Sequence, residues 1–416
     1  MTSPAEIAAA NRPAEPCRLA ALGIVNALGR GAQTVWQRVV AGDTSGIEWC
    51  EDRLRAQPMH LASVSAELPS IPSSLSDYDC RNNAFTLAAL EEIFEPVRAA
   101  IRAHGAGRIG VVMGTSTSGS AELEAAMQHD VSTGHLRDEF RYPQLELGGA
   151  AGFVAEILGT RGPAFTLSTA CSSSARAFAS ARSLLRLGLC DAVVTGGSDS
   201  LCGLTANGFA SLQAVANEPC NPMSANRSGL TLGEGAAIFL VTREPGGIQL
   251  TGVGESSEAH HMSAPDPNGL GAIASMRDAL NNAGLSPDAI AYLNLHGTAT
   301  QLNDAMESRA VHDVLGDAIP CSSTKPLVGH TLGAAGATEV GFCWLALAHR
   351  DGDTLRLPPH IYDGIRDTQL PAITLTGAKG ETWPIPHGAN LMTNSFGFGG
   401  NNCTLILSEA GETSAQ

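Results

Sequence analysis

The chain has 416 residues, 44% of them hydrophobic and 16% charged, with 46 glycines. That length and composition fit two domains or one duplicated α/β fold and exclude a disordered chain. The net charge of −16 comes without a Lys/Arg run, which excludes nucleic-acid binding through a basic stripe; ten cysteines without CxxC or Cys/His ligand spacing exclude a zinc ribbon or a disulfide scaffold.

In chain order, residues 1–16 read as a disordered lead-in, without the charged start and apolar centre of a signal peptide. "NAFTLAALEEIFEPVRAAIRAHG" predicts an amphipathic helix, followed by a strand and a small-residue loop in "RIGVVMGTSTSG". "FTLSTACSSSARAFASARSLLRLG" predicts a strand that gives way to a helix at Cys171. Past Pro245–Ile248 the pattern returns. "GAIASMRDALNNAGLSPDA" predicts a helix, "IAYLNLHGTAT" a strand and loop, and "IPCSSTKPLVGHTLGAAGATEVGFCWLALAHRDG" a strand and an Ala/Gly-rich helix. Helices with small residues on every face pack in an interior. The repetition predicts a duplicated βα unit: residues 17–245 form one half with the cysteine, 246–410 a second half with two histidines, and 411–416 a tail. No apolar run approaches the ~20 residues of a bilayer span, so no membrane association is expected. The thiols imply a reduced, cytoplasmic protein.

A cysteine at a helix start meets unpaired N–H groups and the helix dipole, which favour a thiolate, and the same N–H groups can hold an oxyanion. A buried structural thiol is the commoner state of a free cysteine, and the other nine are assigned to it. His296 leaves an apolar strand into a loop of small polar residues, and Lys325 and His330 stand five apart before a Gly/Ala helix. Alone, each could be a core or cap histidine. The remaining histidines, His260 and His261 included, are assigned structural roles. No HExxH occurs and no metal is expected.

"STACSSS", "HGTAT", "STKPLVGHTLGAAGATE" and "NSFGFGGNN", in that order, resemble the β-ketoacyl-[acyl carrier protein] synthases of the thiolase superfamily. "NPMSANRSGLTLGEGAA" and "SEAHHMSAPDPNG" are similar to further segments of that family, and the likeness covers nearly the whole chain. It implies a thiolase-like duplicated fold, layered α-β-α-β-α with two mixed sheets. It implies a decarboxylative Claisen condensation by a ping-pong mechanism, with substrates carried on the phosphopantetheine of acyl carrier protein and no bound cofactor. Cys171 matches the nucleophile. His296 and His330 match the pair that promotes decarboxylation, and Lys325 and Glu339 the supporting polar pair. The Phe398 N–H matches the oxyanion hole with that of Cys171. Thr298 and Thr300 match contacts to the pantetheine arm, and Phe396 belongs with Phe398 in the substrate wall.

Departures from the family pattern carry their own expectations. Ala299 replaces a Gly or Ser, with little effect expected. Ser228 replaces an aspartate, so a local salt bridge is expected to be absent. Thr117 falls at the acyl-pocket wall and would alter acyl preference. These shifts point to specialised aryl polyene or polyketide-like assembly rather than housekeeping fatty acid synthesis. An acidic carrier partner requires a basic rim, for which Arg53, Arg55, Arg137 and Arg141 are candidates. The family forms dimers, here with itself or with a related subunit. Two other readings compete. A non-catalytic chain-length subunit would lack the nucleophile. A thiolase would need a second catalytic cysteine near the C-terminus, where Cys403 falls in a strand.

Overall fold

The computed structural model describes residues 16–410 apart from 52, 53 and 55, so the lead-in up to residue 15, the 411–416 tail, Arg53 and Arg55 lie outside the described residues. In the first half, five strands form one ladder: β1 (Cys17–Asn26), β2 (Ile109–Gly114), β3 (Ala164–Leu167), β4 (Ala192–Asp199) and β5 (Gly235–Thr242). Their spatial order is β3-β2-β4-β5-β1. β2 is parallel to β3 and β4, and β5 is antiparallel to β4 and β1. The second half repeats this plan with β6 (Ile248–Ser257), β7 (Ile290–Asn294), β8 (Pro320–Ser322), β9 (Asn390–Gly397) and β10 (Asn401–Glu409), in the order β8-β7-β9-β10-β6. Third, second, fourth, fifth, first: the two halves share one strand order, which is the duplication the sequence pattern predicts.

The two mixed sheets are not separate. β1 and β6 pair antiparallel at Cys17↔Leu250 and Arg18↔Gln249, so the halves join into one continuous ladder through a two-residue seam. At the far end of the first half, β3 has a neighbour on one side only among the described residues, and its Phe165 is 37% exposed.

Helices complete the layers. α1 (Arg81–His104) and α2 (Gly149–Leu158) cover the outer face of the first half, where Phe85, Leu90, Ile93 and Phe153 pack against β2, β4 and β5. α4 (Leu270–Ala283) and α5 (Gln301–Leu315) do the same for the second half through Met276, Leu280, Met306 and Val311. α3 (Ser173–Arg186) and α6 (Ala335–Ala348) fill the space between the halves, burying Phe178 and Phe342 in a core shared by both sheets. This gives the α-β-α-β-α order. α6 is buried along almost its whole length, which explains why it has no polar face. β2, β4 and β5 are buried at every position, which is why they read as continuous apolar or small runs.

Small residues let the two central helices touch. A Cβ added at Gly336 would stand 2.7 Å from the Ala175 Cβ and 2.8 Å from the Ala175 backbone nitrogen. The Ser174 hydroxyl accepts the Ala337 N–H at 2.9 Å across the same contact. Gly336→Val should therefore overpack the crossing and lower stability by about 2 kcal/mol, read as a lower urea midpoint; an unchanged midpoint would mean that the helices separate freely.

Candidate active site

In each half, the loops leaving the carboxyl ends of the parallel strands turn toward the shared central layer, the usual place for a crevice in such sheets. From the first half, β3 leads to Cys171. From the second, β7 leads to His296, β8 to Lys325 and His330, and β9 to Phe396 and Phe398. Ala170 holds a left-handed φ of 53° and turns the chain so that Cys171 faces inward. The helix begins at Ser173, with Ser172 at its cap.

The structure brings Cys171, His296 and His330 together. The His330 Nε2 lies 3.0 Å from the Cys171 Sγ, and the two imidazoles meet nearly perpendicular with centroids 5.2 Å apart. One ligand atom from each of the three lies within 4.8 Å of the others, close enough for all to touch one reacting group. The Leu332 N–H donates to the His330 Nδ1 at 3.2 Å. That acceptor role leaves the ring proton on Nε2, facing the sulfur. Leu332 adopts a left-handed φ of 53° to make this bond, a conformation costing about 1–2 kcal/mol for a non-glycine residue.

Burial sets the charge states. It holds His296 and His330 well below the ordinary imidazole value, and the Lys325 ammonium pushes both further in that direction. Both rings are therefore neutral donors. Burial acts the other way on the nucleophile: the Cys171 thiol is pushed up to about 11, against the opposing pull of Lys325 and of the Phe398 and Cys171 backbone N–H groups. This corrects the expectation of a thiolate from the helix start alone. The dipole of one helix end contributes less than removing the sulfur from water costs. Lys325 donates to the Glu339 Oε1 at 2.5 Å, with both side chains almost fully buried. Burial pushes Glu339 up to about 7, opposed by that ammonium.

Two buried carboxylates that sequence reading missed fix the histidine loop. Glu307 on α5 accepts the backbone N–H groups of His296 and Gly297, each at 2.7 Å. Asp304, one turn earlier, accepts from Met223 at 2.8 Å and from Ala299 at 3.2 Å. Their spacing in "NDAME" was the available signal, since α5 would present both on one face. Ala299 has a left-handed φ of 64°, so a methyl group stands where glycine would sit without strain.

A cavity of about 270 Å³ reaches Cys171 and is lined by His296, His330, Thr298, Thr300, Phe396 and Phe398 among others. The Thr298 and Thr300 hydroxyls are 2.9 Å apart. Phe396 is buried with its ring edge toward His296, whereas Phe398 is 37% exposed against Phe209. Thr117 does not line this cavity; its hydroxyl turns away to the Asp199 carboxylate at 2.8 Å. Ser228 does line it, and Arg227, without an adjacent aspartate, pairs with Asp367 at 2.6 Å instead. His261 also reaches the cavity, against its structural assignment, and its Nδ1 accepts the Ser263 N–H at 3.1 Å. Arg137 and Arg141 are exposed but do not line it, and no arginine or lysine does among the described residues. Cys403 is buried in β10 away from the cavity, where Cys171 is the one thiol among the described residues. No helix among the described residues is long and apolar enough to cross a membrane.

Comparison with known proteins gives consistent results. The model of the beta-ketoacyl synthase N-terminal domain matches residues 15–245, and that of the C-terminal domain residues 248–353. The chain is 28% identical over 410 residues to the 3-oxoacyl-[acyl-carrier-protein] synthase 2 of Staphylococcus aureus, covering 93% of this chain and 99% of the relative. It is 30% identical to the protein of that name from Coxiella burnetii (strain RSA 493 / Nine Mile phase I), covering 93% and 97%. Among solved structures, a chain of "Ketosynthase (ApeO) in Complex with its Chain Length Factor (ApeC) from Xenorhabdus doucetiae" superposes with a TM-score of 0.90 at 44% identity, covering 99% of this chain and all of that one.

The charge balance can be tested directly. The imidazole signals of His296 and His330 should not titrate between pH 6 and 7 in an NMR titration, and a midpoint near the ordinary 6.5 would contradict their burial. Lys325→Met removes the charge that opposes burial at Cys171, so alkylation of that thiol by iodoacetamide at pH 8 should slow several-fold, read by peptide mass; a faster rate would overturn this account.

Proposed function

The chain belongs to the β-ketoacyl synthase family, and from that premise we propose that Cys171, His296 and His330 carry a decarboxylative Claisen condensation of thioesters borne by acyl carrier protein. The observation that carries this reading is the neutral His330, with its Nε2 proton directed at the Cys171 sulfur 3.0 Å away inside one cavity.

In the first stage, Cys171 attacks the carbonyl of an acyl thioester. The C–S bond to the pantetheine arm breaks, and the thiol proton leaves with the departing pantetheine sulfur. Burial, which pushes that thiol up to about 11, opposes its ionisation, and the Lys325 ammonium with the Phe398 and Cys171 N–H groups offsets part of that cost. The N–H groups of Cys171 and Phe398 receive the charge that develops on the carbonyl oxygen.

In the second stage, a malonyl thioester occupies the arm. Its C–C bond to the carboxylate breaks, carbon dioxide leaves, and the electron pair becomes an enolate. Two neutral imidazoles donating N–H bonds to the enolate oxygen suit this step without a strong base. The enolate carbon then attacks the acyl-cysteine, the C–S bond breaks, and the cysteine thiolate recovers a proton from solvent. Lys325 acts from behind, keeping both rings uncharged.

Thr298 and Thr300 are assigned to the pantetheine arm, and Phe396 and Phe398 to the walls of the substrate channel. This reading divides the chain into a nucleophile-bearing half, 17–245, and a histidine-bearing half, 246–410. Thr117 then acts on acyl preference only through the loop it anchors. The one-sided β3 edge suits pairing with a second ketosynthase-like chain. The higher identity to the ApeO/ApeC structure than to the synthase 2 proteins favours a partner of the chain-length-factor kind and a specialised pathway over housekeeping synthesis. Cys171, His296 and His330 together argue against a non-catalytic role, and the lone cavity thiol argues against a thiolase.

Incubation with a panel of acyl carriers should add one acyl mass per chain, absent in Cys171→Ala. His330→Ala should still acylate but lose condensation with malonyl carrier by at least a hundredfold. Acylation of Cys171→Ala at the parent rate would refute the nucleophile, and undiminished condensation by His330→Ala would refute its role.

A further inference from the structure

At the end of β4, Asp199 is fully buried and accepts an unusual number of hydrogen bonds. Its Oδ1 receives the Thr115 hydroxyl at 2.6 Å, the Ser116 and Thr117 N–H groups at 2.9 Å each, and the Thr117 hydroxyl at 2.8 Å. Its Oδ2 receives the Ser116 hydroxyl at 2.5 Å and the Gly333 N–H at 2.6 Å. The three hydroxyls are themselves acceptors from other N–H groups: Thr115 from Ser118, Ser116 from Gly333 and Thr117 from Ser200. Each must therefore spend its one proton on Asp199, which makes this carboxylate an ionised acceptor.

Gly333 is the telling partner. It comes from the other half of the chain and directly follows Leu332, the left-handed residue whose N–H fixes the His330 tautomer. A Cβ at Gly333 would stand 2.7 Å from the Asp199 Oδ2 and 2.8 Å from the Ser116 nitrogen, so the approach requires glycine. The peptide after Leu332 is thus clamped by a charged acceptor that a strained residue needs to stay in place.

We propose that Asp199 is a positioning residue for His330: by holding the Gly333 N–H it keeps Leu332 left-handed, and so keeps the His330 proton on Nε2, toward Cys171. Asp199 touches no reacting atom. It links the loop after β2 and β4 in one half to the histidine loop of the other. This inference rests on the condensing role of His330, but one of its readouts does not.

The test is Asp199→Asn in the full chain, with histidine side chains labelled with nitrogen-15. In the parent, His330 should show Nε2 protonated and Nδ1 as a hydrogen-bonded acceptor. In Asp199→Asn the His330 signals should move toward a tautomer mixture, kcat for condensation should fall ten- to a hundredfold with KM for malonyl carrier little changed, and Asp199→Glu should restore part of the loss. Unchanged His330 signals and kcat in a folded Asp199→Asn would overturn the proposal. If that variant does not fold, Ser116→Ala, which loses one bond to Asp199 and one from Gly333, should shift the same signals and lower kcat about threefold; an unaffected Ser116→Ala would overturn it as well. Failure of the parent to condense at all would instead sink the functional reading, leaving the tautomer result to stand or fall by itself.

Discussion

A single buried ammonium organises the charge of the whole site. Lys325 is almost without solvent and, among the described residues, has one ion-pair partner, Glu339. Its field lowers His296 and His330, opposes burial at Cys171, and opposes it again at Glu307 and Glu339. Burial alone would give neutral imidazoles but would also make the thiol very hard to ionise. One positive charge helps both requirements, because it disfavours a second cation and favours an anion. The choice of lysine is not compositional habit: Lys325 and Lys379 are the two lysines among 25 basic residues. A compact head on a flexible stem fits where the broad planar fork of an arginine would demand more partners.

Around this charge, backbone conformations are held away from their resting preferences. Ala170, Ala299 and Leu332 all have left-handed φ values, and each lies within three residues of Cys171, His296 or His330. Such strain persists only where surroundings over-determine it. Here buried carboxylates accept the N–H groups next to the strained residues: Asp304 at Ala299, and Asp199 at Gly333. The acidic character of the chain therefore extends into its interior, where carboxylates serve as acceptors for loop backbone rather than as surface charge.

Much of this was legible from the sequence, for identifiable reasons. Apolar runs of both periods marked β2, β7 and α1, and abrupt changes to small polar residues marked the loops holding Cys171 and His296. The duplicated strand order followed from the repeated pattern of helix, strand and loop. What stayed hidden depends on distance across the fold. Asp199 lies 134 positions before Gly333, and nothing local distinguishes it from a solvated turn residue. Thr117 was assigned to a pocket wall from the family pattern, but its hydroxyl turns to the buried Asp199 carboxylate instead. The thiol's state was misjudged because a helix terminus can be read in a sequence, whereas depth of burial cannot. Arg227 pairs with Asp367, 140 positions away, a partner that nothing near Ser228 in the sequence marks.

The free side of β3 bears on the chemistry more directly than its place at the rim suggests. The strand ends at Leu167, four positions before Cys171, with no regular element between them. Pairing along that free side would restrain one end of the short link whose other end holds the sulfur 3.0 Å from the imidazole. A second protein covering that edge would steady the approach to the bond-making centre, and would be part of the instrument rather than its casing.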